Sequence, residues 1–171
     1  MAEVIKYGAI YDLEFFKYLM KRETTLENIE YIIKRCCEIK AEIVEKDELD
    51  LGLRMILNYG HTLGHAIEKY YNYGRYTHGE AISIGMYEIT RLSEKLGYTK
   101  EGTAEKIKGI LLKYNLPITD TVSIEELVET MKSDKKNISG VLNFIFLKEI
   151  GEVEVVGIEE ISLHSKLKTN N

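Results

Sequence analysis

Three of the four histidines, His61, His65 and His78, fall within 18 residues, in the segments LNYGHTLGHAIE (Leu57 to Glu68) and THGEA (Thr77 to Ala81). Imidazoles four apart on a helix share a face, so His61 and His65 can meet one metal ion or flank one substrate. Such a pair alone is more often structural. The third histidine opens the next helical pattern after a loop long enough to fold it back, and this shifts the reading towards a site. A catalytic zinc takes three protein ligands and keeps a position open, which two histidines and a carboxylate suit. Glu3, Glu68 and Glu80 are the carboxylate candidates, and spacing does not choose among them. Glu68 lies seven residues after His61, Glu80 two after His78, and Glu3 has only Lys6 at i+3 to recommend it. A zincin is disfavoured, because Thr62 stands where a glutamate must follow the first histidine.

Groups suited to a small acidic or phosphorylated substrate cluster around the same segment. They are Lys40, Arg54, Asn58 and, further on, the run Asp134, Lys135, Lys136, Asn137. Arg54, Asn58 and His61 or His65 fall near one helical face at spacings of three and four. Lys40 interrupts the apolar row Leu26, Ile29, Ile33, Cys36, Lys40, Ile43, which spacing assigns to a buried helix face. Either its stem snorkels at the helix margin, or it is a cation facing an internal site for an anion. Solvation accounts for the 134–137 run as well as function does.

The elements that must position these groups are mostly helices, because apolar spacings of three and four recur along most of the chain. Residues 2–21 read as one or two helices with a break near Gly8 to Asp12. Thr24 and Glu27 have the spacing of a capping box and open a helix to about Asp47. Leu51 to about Tyr71 is helical in pattern but carries Gly52, Gly60 and Gly64, each costing about 1 kcal/mol against alanine. Such glycines serve a close approach or a break. A tyrosine-rich loop around Gly74 leads to a helix from His78 to Leu96 with the row His78, Ile82, Gly85, Ile89, Leu92, Leu96. Thr103 to Tyr114 is a shorter helix, closed by Asn115 and Pro117. Ser123 and Glu126 form a second capping-box pattern, opening a helix to about Met131. Val141 to Leu147 and Val153 to Val156 have strand character around a Gly151 turn, which predicts a small hairpin.

Composition narrows the function classes. The 171 residues, 44% hydrophobic and 30% charged, suit one globular domain, 1–164, with a frayed tail at 165–171. Apolar runs such as Phe144 to Leu147 fall far short of the roughly 18 residues of a membrane span. The first twenty residues have no targeting pattern, so the expected location is cytoplasmic. With 23 basic and 28 acidic residues interspersed, a nucleic-acid partner is disfavoured. Cys36 and Cys37 are neighbours, a spacing unsuited to a disulfide or CxxC motif, and read as reduced packing residues.

The segments AEVIKYG (Ala2 to Gly8), KAEIVEKDELDLGLRMILNYGHTLGHAIE (Lys40 to Glu68), HGEAISIGM (His78 to Met86) and MKSDKKN (Met131 to Asn137) resemble 3-dehydroquinate synthase. The likeness runs through nearly the whole chain in family order, and covers the family's C-terminal, largely helical domain. It implies a multihelical fold with a small hairpin near the C-terminus. The activity it implies is NAD- and divalent-metal-dependent conversion of 3-deoxy-D-arabino-heptulosonate 7-phosphate to 3-dehydroquinate and phosphate, in the shikimate pathway of aromatic amino acid biosynthesis. In that family NAD oxidises a substrate hydroxyl, phosphate is eliminated, the hydride returns, and an aldol closure forms the ring.

Carried over by position, Glu3, His61 and His78 match the family's ligands for zinc or cobalt, a Lewis acid for the substrate hydroxyls. His65 matches an active-site residue near the phosphate and the transferring proton, and Lys6 an active-site lysine. Lys40 and Arg54 match residues that hold the substrate carboxylate. Asn58, with Lys135 or Lys136, matches the phosphate side. The family is usually homodimeric. Its nucleotide-binding domain, with the glycine-rich turn, has no counterpart in these residues, so the expectation is no synthase activity and no measurable NAD affinity for this stretch alone. The alternatives are a non-catalytic helical metal-binding or scaffold module, a related sugar-phosphate cyclase, or a metal-dependent alcohol dehydrogenase domain.

Overall fold

The computed structural model describes residues 1–21, 27–47, 52–124, 126, 127, 130 and 141–159. Six α-helices are described, α1 (Ala2–Tyr11), α2 (Leu13–Lys21), α3 (Ile29–Lys46), α4 (His61–Tyr70), α5 (His78–Lys95) and α6 (Thr103–Lys113). A 3-10 segment, Leu53–Asn58, precedes α4, and strands β1 (Val141–Glu149) and β2 (Glu152–Glu159) form an antiparallel hairpin. The mainly helical fold with one small hairpin is the one expected. Thr24, the helix end near Met131 and the tail at 165–171 lie outside the described residues.

The break expected between Gly8 and Asp12 falls at Asp12, whose extended backbone (φ −137°) separates α1 from α2. Its Oδ1 accepts the Phe15 amide at 2.9 Å, as an N-terminal cap should, and its Oδ2 accepts Arg35 Nε at 2.7 Å. Burial opposes ionisation of Asp12, but the Phe15 amide and Arg35 outweigh it and hold the carboxyl below its ordinary range. α1 is the hub of the fold. It buries Ala2, Ile5, Lys6, Gly8, Ala9 and Ile10, and it touches α2, α3, α5, α6, the 3-10 segment and β2.

α3 corrects one expectation. Its buried residues are Ile32, Ile39 and Ile43, whereas Ile33 is 57% exposed and Lys40 is exposed too. Two apolar rows overlap on this helix, and the one without a charge faces the core, because the other would bury an ammonium group. Cys36 lies in the chosen row, packed against the core, and burial pushes its thiol up to about 11. Such a thiol is inert.

The segment Leu51 to Tyr71 is not one helix. Gly60 adopts φ +78°, a left-handed conformation that ends the 3-10 segment and restarts the chain as α4. The restart sets up a very close packing of α4 on α5. A Cβ at Gly85 of α5 would strike the carbonyl of Gly60 and lie 2.9 Å from the Gly64 amide, and one at Gly64 would lie 2.6 Å from Ile82 Cδ1. α4 and α5 therefore meet backbone to backbone. Beneath them Tyr59 is fully buried, its hydroxyl donating to Met86 O and paired with Thr90 Oγ1.

The hairpin packs against α1, α5 and the 3-10 segment. Phe144, Ile145, Phe146 and Leu147 are all buried, and the turn amide of Gly151 donates to Ala9 O of α1 at 2.8 Å. Ser123 and Glu126 bond reciprocally as a capping box, as their spacing predicts. No helix among the described residues is long and apolar enough to cross a membrane.

Gly85→Ala is expected to destabilise the protein by about 1–3 kcal/mol, because the obstruction is backbone that cannot rotate aside. Chemical denaturation reads this, and an unchanged midpoint would refute the close packing. Asp12→Ala is expected to cost about 0.5–2 kcal/mol near neutral pH. Since the folded carboxyl is depressed, that difference is complete above the ordinary aspartate range and shrinks as pH falls below about 4. Melts of wild type and variant across that range check the sign.

Candidate metal centre

Three elements converge on one point. α1 supplies Glu3 from its first turn, α4 begins with His61, and α5 begins with His78. One potential ligand atom from each lies within 4.8 Å of the other two. His65, one turn along α4, stands beside them, with ring centroids 5.4 Å from His61 and 5.9 Å from His78. The backbone contact of α4 with α5 is what brings the three imidazoles together.

Hydrogen bonds assign the tautomers. His61 Nδ1 lies 3.1 Å from the carbonyl of Tyr59, which only accepts, so Nδ1 carries the hydrogen and Nε2 the lone pair. His78 Nδ1 lies 3.1 Å from Glu68 Oε1 and is fixed the same way. Burial, and then the charge of Lys6, push His61 below the ordinary histidine value and keep it neutral. Its Nε2 faces Glu3 Oε1 at 3.4 Å, and that buried oxygen has no hydrogen-bond partner. A lone pair and a carboxylate oxygen thus face each other with no hydrogen between them. This donor set fits a divalent cation held by two imidazoles and a carboxylate.

Lys6 is only 3% exposed. Its Nζ donates to Glu3 Oε2 at 2.8 Å and to Leu57 O at 2.6 Å, so it orients the carboxylate and ties α1 to the 3-10 segment. Burial pulls its pKa down; Glu3 opposes this, and the charge of Lys40 adds to it. Lys40 is therefore close enough to act on the site, although its side chain is solvent-exposed and not inward as the apolar row implied.

An open cleft of about 250 Å³ adjoins the centre, lined by Met55, Asn58, His61, Thr62, His65, Asn143 and Ile145. Asn58 and His65 stand on its wall as the spacing suggested. Arg54 is exposed and does not line it, because the 3-10 segment and the Gly60 break change the helical phase on which its alignment with His61 rested. Lys135 and Lys136 lie outside the described residues. Asn143 on β1 was not singled out by sequence, although an amide inside the apolar run VLNFIFL was an available signal. Of the other carboxylate candidates, Glu80 is engaged in capping α5, its Oε2 accepting Thr77 N at 2.8 Å and Thr77 Oγ1 at 2.7 Å. Glu68 joins His65 and His78 in a second group of the same compactness.

Residues 1–137 match the family described as 3-dehydroquinate synthase C-terminal. A 3-dehydroquinate synthase of Clostridium beijerinckii is 53% identical over 156 residues, covering 89% of this chain and 45% of that protein. One of Clostridium acetobutylicum is 48% identical over 172 residues, covering 98% of this chain and 48% of the relative. The chain thus spans about half the length of the curated relatives it matches. Among solved structures, a 2-epi-5-epi-valiolone synthase of Streptomyces hygroscopicus subsp. jinggangensis with NAD+ and Zn2+ bound superposes with a TM-score of 0.79 at 18% identity, over 98% of this chain and 49% of that one. A 2-deoxy-scyllo-inosose synthase complexed with carbaglucose-6-phosphate, NAD+ and Co2+ gives 0.77 at 20% identity, over 99% and 50%. At these identities the two structures establish a shared fold. By the extent of the sequence match, the chain belongs to the 3-dehydroquinate synthase C-terminal family.

Proposed function

We propose that this chain is the metal- and substrate-holding half of an enzyme that converts 3-deoxy-D-arabino-heptulosonate 7-phosphate to 3-dehydroquinate and phosphate, a homodimeric lyase of the cytoplasmic shikimate pathway. The observation that carries this reading is the unpartnered, buried Glu3 Oε1 facing His61 Nε2, with His78 completing the triad. Relatives about half identical in sequence are named for this reaction, and two neighbours in fold hold NAD+ with Zn2+ or Co2+.

Glu3, His61 and His78 would hold the divalent metal, which supplies Lewis-acid polarisation of a substrate hydroxyl while NAD, bound mainly by another domain, exchanges hydride. The chain's own groups do the rest. Lys6 keeps Glu3 aimed at the centre and neutralises part of its charge. His65 stands on the cleft wall, where a ring nitrogen can take or return a proton of the substrate. Asn58 offers an amide to the phosphate end, and Asn143 lines the same cleft. Lys40 and Arg54, both exposed, would reach the substrate carboxylate from the rim. Lys135 and Lys136 belong to the same phosphate-side assignment.

Two measurements check the proposal. Zinc titration is expected to give one site per chain, with stoichiometric binding lost in His61→Ala and in His78→Ala; unchanged stoichiometry in both variants would sink the triad. Phosphate release from the heptulosonate phosphate with NAD and zinc is expected to be absent for these 171 residues alone and present when they are joined to the family's nucleotide-binding half. Turnover by the 171 residues alone would overturn the division of labour. No phosphate release from the joined enzyme would overturn the substrate.

A further inference from the structure

Two histidines of the triad are oriented in different ways. His61 is held by the backbone carbonyl of Tyr59, a partner that no substitution removes. His78 is held by a side chain, the Glu68 carboxylate, at 3.1 Å. Glu68 is 9% exposed, and His78 is the one hydrogen-bond or ion-pair partner of its carboxylate among the described residues. Burying a carboxylate for a single hydrogen-bond partner is costly, since one bond returns little of the lost hydration. Packing gives no reason for a charge at this point. Leu63, Ala66 and Ile67 already cover the apolar side of α4.

Position explains it. α4 presents His61, His65 and Glu68 at spacings of four and three, so one helix face carries a ligand, a cleft residue and the carboxylate behind the other histidine. His78 is the first residue of α5 and about half exposed, with the rings of His61 and His65 beside it and no hydrogen bond to Nδ1 other than that of Glu68 among the described residues. Without an acceptor at Nδ1, its ring is free to rotate or to carry its hydrogen on Nε2, the atom that must face the metal.

We propose that Glu68 is the positioning residue of the metal centre: by accepting the His78 Nδ1 hydrogen it fixes the tautomer and the ring plane that present Nε2 to the ion. This rests on the triad proposed above. A carboxylate in this place also makes the imidazole a stronger donor, and loss of such partners costs about 10–100-fold in metal affinity.

The test uses Glu68→Gln, which keeps volume and a carbonyl acceptor, and Glu68→Ala, which removes both. Zinc affinity is measured by competition with a chromophoric chelator, with His61→Ala as the ligand control. Both Glu68 variants are expected to keep one zinc per chain, with binding about tenfold weaker for Gln and nearer a hundredfold for Ala. Independently of metal, the side-chain nitrogen shifts of His78 in the metal-free protein are expected to show hydrogen on Nδ1 in wild type and Glu68→Gln. In Glu68→Ala a mixture or the Nε2 form is expected. Affinity within twofold of wild type for Glu68→Ala, or an unchanged His78 tautomer in it, would overturn the inference while leaving the triad standing. Loss of stoichiometric binding equal to that of His61→Ala would overturn it differently, by making Glu68 a ligand. If wild type binds no zinc the triad itself fails, and the tautomer measurement still decides what Glu68 does to His78.

Discussion

Two helices can approach until their backbones touch only where neither carries a side chain at the crossing. The rest of the structure follows from that contact between α4 and α5. Gly60, Gly64 and Gly85 surrender side-chain packing, and what they obtain is a fixed relation between the first residues of two helices. His61 and His78 are those residues. A site built from helix starts inherits the rigidity of the helices behind it, so backbone sets where each ring is attached and the partners at Nδ1 have only to fix its plane. The third donor comes from α1, whose burial on most sides leaves little freedom to drift.

Polar groups inside this assembly are matched with care. Lys6 and Glu3 satisfy each other, Leu57 takes a further Lys6 hydrogen, and Tyr59 supplies its carbonyl to His61 while its hydroxyl is used at Met86 and Thr90. Against that background an unpartnered buried oxygen on Glu3 is an exception that calls for a cation. The charges around the centre are also graded. A buried cation touches the carboxylate, a second lies nearby in solvent, and the histidine between is kept neutral.

Local information made much of this legible. The helices beginning at His78 and Thr103, the break before α2 and the hairpin all follow from periodicity, caps and turn residues, which act over a few residues. The clustering of histidines was equally visible. The choice of carboxylate was not: Glu3 meets the histidines only through tertiary packing of α1, and spacing favoured Glu68 and Glu80 as much. Family likeness pointed to Glu3, which the packing of α1 brings within reach of His61 and His78, while Glu68 stands as near to His65 and His78. The α3 face was misread because two apolar rows share Cys36 and Ile43, and only the cost of burying Lys40 separates them. The alignment of Arg54 with His61 failed for a different reason, since one left-handed glycine shifts the phase of everything after it.

The amide of Gly151 bonded to Ala9 joins the two ends of the described chain. α1 precedes the other described elements, yet the turn that holds it lies far along the sequence, between the two strands. Its apolar face, Ile5 and Ile10 included, must therefore wait for partners, and Glu3 waits with it. Contacts of such long sequence separation form late and slowly. The local pair, α4 against α5, can assemble its three imidazoles early. An ion reaching the α4–α5 pair without α1 would meet imidazoles and the Glu68 carboxylate, and the Glu3 donor is added only when α1 is docked.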